Sequence, residues 1–437
     1  MAYNEVQKGV YSFSKFPVIA EFEDKTSFSN TTGTIDIQVG EKETAKNVKV
    51  MMWGIDNNLC DRRENLIADN NIIPQLLKTS RNIIMGMDIF CYKEVYDENG
   101  NRNNEAVKAP DEVRDFMNDL RESDYWEDLT NDFVKNSMAY VRFLKGSSGK
   151  YSIKNIKARY IRPQEMNESG VIENYFRCAD WLKKYENEII PIQTAESAKE
   201  SGVYPPQFVQ RIEDDFLGNE YFPIPVWWTG SKWIEIGNKI PEFHTFNLEN
   251  QYFTPLHIEI PKGYFYDGLS VKMGKKTENE AVVEEAEKRK TFLDTVDNVL
   301  AGTKNAGKAV WSEYSLSQMQ KEYGGIKFNE LKIPRGDDAL LKLFEKTNEA
   351  NISGTGVHPS LAAIMTSDGL SSGSEIRNAL DMYIITQCIQ PRKQLLKPLY
   401  LLKKLNGWDK ELKFAFRDVQ LTTTDANPTG SQAVTAN

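Results

Sequence analysis

The chain has 437 residues, of which 40% are hydrophobic and 27% charged, and its formal net charge is −9. That length suits two or three lobes better than one core, and the composition excludes a wholly disordered chain. The acidic balance argues against a broad basic face that grips nucleic acid by displacing counterions, but it permits a channel through which a duplex slides unclamped.

No apolar run approaches the roughly 20 residues that cross a bilayer, and MAYNEVQKGVYSFSKF lacks the apolar stretch of a signal peptide. The expectation is folding in cytosol without a membrane partner. Cys60, Cys91, Cys178 and Cys388 are far apart, with no CxxC or Cys/His spacing, and read as reduced, packed thiols. Only His244, His257 and His358 are available as general base or ligand, so the composition tilts against an enzyme, and no metal or cofactor is expected.

Residues 1–50 are polar, with a TSFSNTTGT cluster, and read as an N-terminal arm. From Trp53 the character changes: residues 65–86 have helical spacing in Leu66, Ile73, Leu76, Leu77, Ile83 and Ile84, ending near Gly86. DIFCYKEVYDENGN alternates as a strand into a turn at Asn99-Gly100. Residues 111–146 read as one or two acidic helices running into a strand, and 150–163 as further strands. Residues 204–261 mix aromatics and prolines, and Trp227, Trp228 and Trp233 read as core or subunit interface.

The last third is organised differently. Residues 277–301 predict a long helix with Val282, Val283, Ala286, Leu293, Val296 and Leu300 on one side and a net charge of −4. Residues 302–336 hold short strand-like pieces between glycines, with net charge +3, and 337–354 predict a second helix of net charge −2. A Ser/Gly-rich loop follows within 355–374. A third helical stretch from Glu375 to about Leu405 carries Ile376, Leu380, Tyr383 and Ile384 in register, and Pro391 and Pro398 should bend it. Residues 409–437 form a C-terminal segment whose tail, TTTDANPTGSQAVTAN (422–437), reads as disordered.

GTKNAGKA (302–309) falls one residue short of the phosphate-cradling pattern, and Ala309 lacks the Mg²⁺-binding hydroxyl, so it reads as a glycine turn. His244 and His257 lack a nucleophile motif or a third ligand and read as edge-of-core histidines.

Three stretches carry a family likeness: WGIDNNL with IIPQLLKTSRNIIMG, YIRPQEMNESGVIENYF, and the run from IPRGDDALLKLFEKTNEANISGTGVHPSLAAIM to QCIQPRKQLLKPL. In their order the chain resembles the portal proteins of tailed bacteriophages over some 350 residues, from about Met51 to Leu405. The weight lies in the arrangement and not in any single motif.

The resemblance implies an α+β, portal-type subunit: a mixed wing over 51–276, stem helices over 277–301 and 337–354 flanking a small β-containing clip (302–336), a tunnel loop (355–374) and a long bent helix (375–408) beside a reduced crown. It implies a homo-oligomeric, twelve-membered ring at one capsid vertex of the virion, assembled in the host bacterial cytoplasm. Its partners would be the large terminase, the head-tail adaptor, a major capsid or scaffold protein, and double-stranded DNA passing without sequence specificity. Carried onto this chain, Ser367, Asp368, Gly369, Leu370, Ser371, Ser372, Gly373 and Ser374 would form the tunnel loop. Lys321, Lys327, Lys332 and Arg335 would dock terminase and adaptor, and Glu284, Glu285, Glu287, Asp294 and Asp297 would line the channel. The alternatives are another virion structural protein, such as a capsid or connector component, or a hydrolase or nucleotide-binding enzyme.

Overall fold

The computed structural model describes residues 3–7, 10–13, 33–39, 46–98, 101–183, 188–249, 256–261, 264–266, 268–300, 310–314, 327–330, 337–364 and 373–418. The chain opens with strands β1 (Tyr3–Gln7), β2 (Val10–Phe13), β3 (Thr34–Val39) and β4 (Lys46–Met51). Helices α1 (Leu59–Ala68) and α2 (Ile73–Met85) follow, where the periodicity alone suggests one helix. Asn70 divides them: its Oδ1 accepts the N–H groups of Ile72 and Ile73 at 3.1 and 3.0 Å, and Pro74 sits in the first turn of the new helix.

Strands β5 (Asp88–Tyr96) and β6 (Arg102–Ala106) form the hairpin expected around Asn99-Gly100, with Tyr96 opposite Arg102. The acidic stretch gives two helices, α3 (Asp111–Glu122) and α4 (Tyr125–Asn136), parted at Asp124 with φ 52°. Then come β7 (Met138–Lys145), β8 (Tyr151–Ile156), β9 (Ile161–Pro163), β10 (Asn174–Arg177), β11 (Ile190–Gln193), α5 (Ala195–Glu200), β12 (Gln207–Glu213) and α6 (Ser231–Glu249).

The last part contains β13 (Leu256–Pro261), α7 (Gly268–Lys272), α8 (Glu278–Leu300), β14 (Val310–Tyr314), β15 (Lys327–Glu330), α9 (Asp337–Thr355), α10 (Gly373–Tyr383), α11 (Ile389–Asn406) and β16 (Lys413–Arg417). Between α10 and α11 the helix continues through one π-turn, Ile384–Cys388. The bend expected at Pro391 is thus preceded by a π-turn, while Pro398 sits inside α11. The tail after Asp418 lies outside the described residues.

The chain divides into two compact units. One takes residues 1–27 and 239–344; the other takes 28–238 and 345–437. The first contains a five-stranded sheet in the order β1-β2-β14-β13-β15, in which β13 and β14 run parallel and the other pairs antiparallel. The N-terminal strands therefore share a sheet with 310–314, a pairing that local periodicity does not encode.

The second unit is built on three-stranded antiparallel sheets, β12-β7-β8, β16-β5-β6 and β11-β10-β9, with the hairpin β3-β4. Central strand β7 buries Met138, Ala139, Tyr140, Val141 and Phe143, because α4 and neighbouring strands cover it. Edge strand β8 alternates, with Tyr151 and Ile153 inward and Ser152 and Lys154 outward. All four cysteines are buried free thiols, and burial pushes Cys60 up to about 12 and Cys388 up to about 11.

A buried stack of cations and rings ties distant segments of this unit together. Arg63 lies 5.1 Å from the Trp228 ring and 5.7 Å from the Trp53 ring, while Arg162 lies 5.4 Å from Trp53 and 5.3 Å from Trp181. Phe222 stacks on Trp53 at 5.1 Å and 8°. Burial pulls both guanidinium groups down to about 10. Every side-chain nitrogen of Arg162 donates a hydrogen bond: to Asn57 Oδ1, to Asn57 O at 3.1 Å, to Arg159 O at 3.0 Å and to Ile161 O at 2.8 Å. Arg63 is 1% exposed and none of its nitrogens makes a hydrogen bond.

Two stability predictions follow from these groups. Arg162→Met strips four acceptors and should cost about 3 kcal/mol or more, whereas Arg63→Met removes only ring contacts worth about 2 kcal/mol and relieves a desolvated charge, so it should be near neutral. Denaturant midpoints of the two variants read this difference directly; equal losses would contradict it. The second group is Asp132, which accepts the Ala158 N–H at 2.9 Å and whose carboxyl is pushed up to about 7 by burial, that hydrogen bond opposing. A folded-state pKa raised above the unfolded value gives stability that is present in acid and lost as pH rises from about 4 through about 7. Asp132→Asn keeps the acceptor without the charge and should gain on the order of 2 kcal/mol at pH 8 but little at pH 4. Thermal melts at the two pH values test it.

Candidate functional site

The acidic helix begins with a capping box. Thr277 Oγ1 accepts the Glu280 N–H at 3.4 Å and Glu280 Oε2 accepts the Thr277 N–H at 2.8 Å, which holds the Glu280 carboxyl below the usual carboxylate range. Of the acidic residues expected along the channel, Glu284 is bridged to Lys276 and, at 2.9 Å, to Lys288, and the hydrogen bond from Lys276 depresses its pKa most. Glu285 pairs with Arg289 at 3.0 Å. Glu287 and Asp294 are exposed, and Asp297 lies on the same helix. Two of the five are thus neutralised by bases one turn on, in the favourable i,i+4 sense.

The apolar stripe expected on this helix is only partly used: Ala281 is buried, while Val282 and Val283 are exposed. Asn279, Glu280, Val283, Glu284 and Glu287 line a shallow depression. Among the described residues, no group of three or more His, Cys, Asp or Glu side chains could hold a metal ion. A solvated acidic surface of this kind repels phosphate and does not bind it.

Of the basic residues expected to dock partners, Lys327 lies on β15, its backbone opposite Glu259 of β13. Lys321, Lys332 and Arg335 lie outside the described residues, as do GTKNAGKA and Ser367, Asp368, Gly369, Leu370, Ser371 and Ser372. Gly373 and Ser374 open α10. His244 packs edge-on to Phe243 at 6.1 Å, and His257 pairs through its backbone with Val310 and Asn329. Trp227 and Trp228 are buried and Trp233 is exposed.

The turn that leaves α9 is sharply built. Gly356 has φ +67°, His358 precedes a 3₁₀ turn over Pro359–Ala362, and Ala363 has φ 52°. Gly356, His358, Glu375, Asn378, Ala379, Met382, Tyr383 and Thr386 line a groove of about 370 Å³ beside α10. His358 Nε2 approaches Glu375 Oε1 at 3.9 Å, and the Tyr383 hydroxyl meets Ser80 Oγ at 2.7 Å, anchoring α10 on α2. The expected inward stripe is present, with Leu380 and Tyr383 buried.

Sequence reasoning passed over the opposite face. Met382, Ile385 and Ile389 are 60%, 62% and 65% exposed and form an apolar ridge along the π-turn. Their spacing was visible, but a π-turn shifts the faces of a helix in a way that a 3.6-residue period does not register.

Gly356→Ala should cost about 1–2 kcal/mol, because an L-residue pays that much in the left-handed region while the nearest side chain, Gln387, leaves room at 3.7 Å. The loss is read from denaturant midpoints, and Gly354→Ala serves as a helical control that should lose nothing.

No family model and no curated protein matches this sequence. Solved structures do. A chain from the virion of a native gene transfer agent (GTA) particle covers 84% of this chain and 85% of itself at 12% identity and TM-score 0.47. One from the neck of a native GTA particle computed with C12 symmetry covers 80% and 82% at 11% identity and TM-score 0.47. One from the neck of an empty GTA particle computed with C6 symmetry covers 84% of this chain and 86% of its own at 13% identity and TM-score 0.51, and the α+β fold of the present chain is similar to the fold of that chain.

Proposed function

We propose that this chain is a structural protein of the head–tail neck of a phage-like particle and, within that neck, the portal: a ring at one capsid vertex through which DNA enters and leaves. The observation that carries the reading is the fold shared with a neck chain over 84% of the present sequence. A twelve-membered ring contains the sixfold axis used for that neck. The portal assignment rests further on the order of elements: acidic helix α8, the short strands β14 and β15, helix α9, a glycine-rich segment and a π-bent helix.

In this reading α8 and α9 face the passage, and Glu287 and Asp294 keep the wall mildly repulsive to phosphate so that DNA slides. Residues 367–374 narrow the bore sterically, since their single charged side chain, Asp368, gives no counterion release. The +3 module at 302–336 docks the large terminase and then the adaptor through Lys321, Lys327, Lys332 and Arg335. The ring meets the major capsid or scaffold protein, resides in the virion and performs no catalysis.

Native mass spectrometry and negative-stain images of the purified chain should show one closed ring with a central hole; a stable monomer at high concentration and moderate salt overturns the reading. Deleting within Ser367–Ser374 should leave rings and terminase binding intact but let packaged DNA slip back, with Asp368→Asn near neutral. Reversing charge at Lys321, Lys327 and Lys332 should weaken terminase binding at least tenfold without breaking rings, and unchanged binding removes the docking role.

A further inference from the structure

Three cations of the larger unit come together without a carboxylate among them. Arg142, on the central strand β7, lies directly opposite Lys154 of the edge strand β8. Side chains alternate along a strand, so both are on the face of the sheet that also carries Tyr140. Strand β10 meets that face, its Tyr175 ring standing edge-on to Tyr140 at 5.0 Å and 73°. Arg177 is two residues beyond Tyr175 on β10, as Arg142 is two beyond Tyr140 on β7, so the same alternation turns Arg177 toward Arg142. Burial, and then the charge of Arg177, hold the Arg142 guanidinium below its usual range.

Like charges set side by side on a sheet repel, and a nearby acid is the ordinary remedy. Arg211 and Arg392 of the same unit have one, in Glu213 and Asp418. This cluster has none. Among the described residues, half-buried Arg142 donates only to Gln207 Oε1, at 2.6 Å, and its covered Nε meets no acceptor. Lys154 and Arg177 are exposed and enter no ion pair among the described residues. The Gln207 contact, made from β12 on the other side of β7, fixes the plane of the Arg142 fork. Two planar forks with a lysine beside them match an oxyanion, which accepts paired N–H donors. Charge selects which oxyanion. A carboxylate brings one negative charge and leaves two of three cations unmatched, whereas a phosphate group brings nearly two charges and three acceptor oxygens.

We propose that Arg142, Arg177 and Lys154 form a binding site for one phosphate group, with Gln207 orienting Arg142. The group is either the free anion or a single phosphate of a nucleic-acid backbone; the recognition chemistry is the same for both. Three cations at one spot serve one such group and do not supply the row of contacts that grips a duplex along its length. The site lies apart from the acidic helix α8 and the module at 302–336, and it does not depend on the ring.

The test compares the full chain with the double variant Lys154→Gln, Arg177→Gln, in which both changes fall at exposed positions. Calorimetric titration with inorganic phosphate should give saturable binding to the parent and at least a tenfold weaker affinity for the variant. Denaturant midpoints are then read in sodium phosphate and in sodium chloride of equal ionic strength. Binding stabilises the form that binds, so the parent should gain in phosphate more than the variant does; general salting-out by phosphate acts on both alike. In chloride the variant should unfold no earlier than the parent, because it has lost a repulsion, whereas a merely structural pair of residues would cost stability in both salts. A fluorescently labelled DNA duplex separates the two sources. Anisotropy that rises with the parent and falls away with the variant identifies a backbone phosphate, and phosphate binding without DNA binding identifies the free anion. Parent and variant that behave alike in both titrations overturn the site. So does a variant altered only in the concentration at which it self-associates, which would assign the cations to carboxylates of a second copy.

Discussion

Two arginines lie buried among tryptophans in the larger unit, and of the two it is Arg162, with its hydrogen bonds to Asn57, Arg159 and Ile161, that fastens separate segments to one another. The rings of Trp53, Trp181 and Trp228 come from three separate segments of the chain, and Arg63 and Arg162 are the groups that lie between them. Each guanidinium costs several kcal/mol to remove from water, so the stack persists only where rings or acceptors compensate. Arg162 satisfies its donors on Asn57, Arg159 and Ile161, and thereby fixes the left-handed Asn57 and the turn that starts α1. Arg63 relies on ring faces alone. The consequence reaches outward: Trp53 carries Phe222, Phe222 ends the loop that follows β12, and that loop therefore has a rigid base.

Charge is organised by segment. The acidic helix spends Glu284 and Glu285 on neighbouring Lys and Arg side chains, leaving Glu287 and Asp294 to define its surface. Under the proposed function this residue pattern gives a wall with a weak field, suited to passing a polyanion and unsuited to binding it. In the larger unit the same economy holds, with Glu213 paired to Arg211 and Arg392 to Asp418.

Much of the fold was legible because its signals are local. Asn99-Gly100 marks a hairpin, the spacing in 111–146 marks helices followed by a strand, and 277–301 and 337–354 mark the two helices observed as α8 and α9. The misreadings were local as well. Residues 65–86 read as one helix because the apolar period runs on past Asn70, whose side chain restarts the helix by accepting two backbone N–H groups. The bend near Pro391 was anticipated, but its form, a π-turn ahead of the proline that directly follows the Tyr383–Ser80 anchor of α10 on α2, was not.

The sequence by itself determined the acidic helix, the basic module, the absence of metal-ligand spacing and the order of elements that resembles a portal, since each depends on residue identity over a short window. Tertiary structure decided which strands pair and which side chains meet. The joining of β1 and β2 to β14, the pairing of β16 with β5 and the stacking of Arg63 between Trp53 and Trp228 all require chain segments with no local signal for one another. It also decided which apolar residues remain outside: Leu380 and Met382 are both hydrophobic, yet the packing of α10 buries the first and exposes the second. Exposure is a property of the partner surface, and a one-dimensional pattern contains only half of that information.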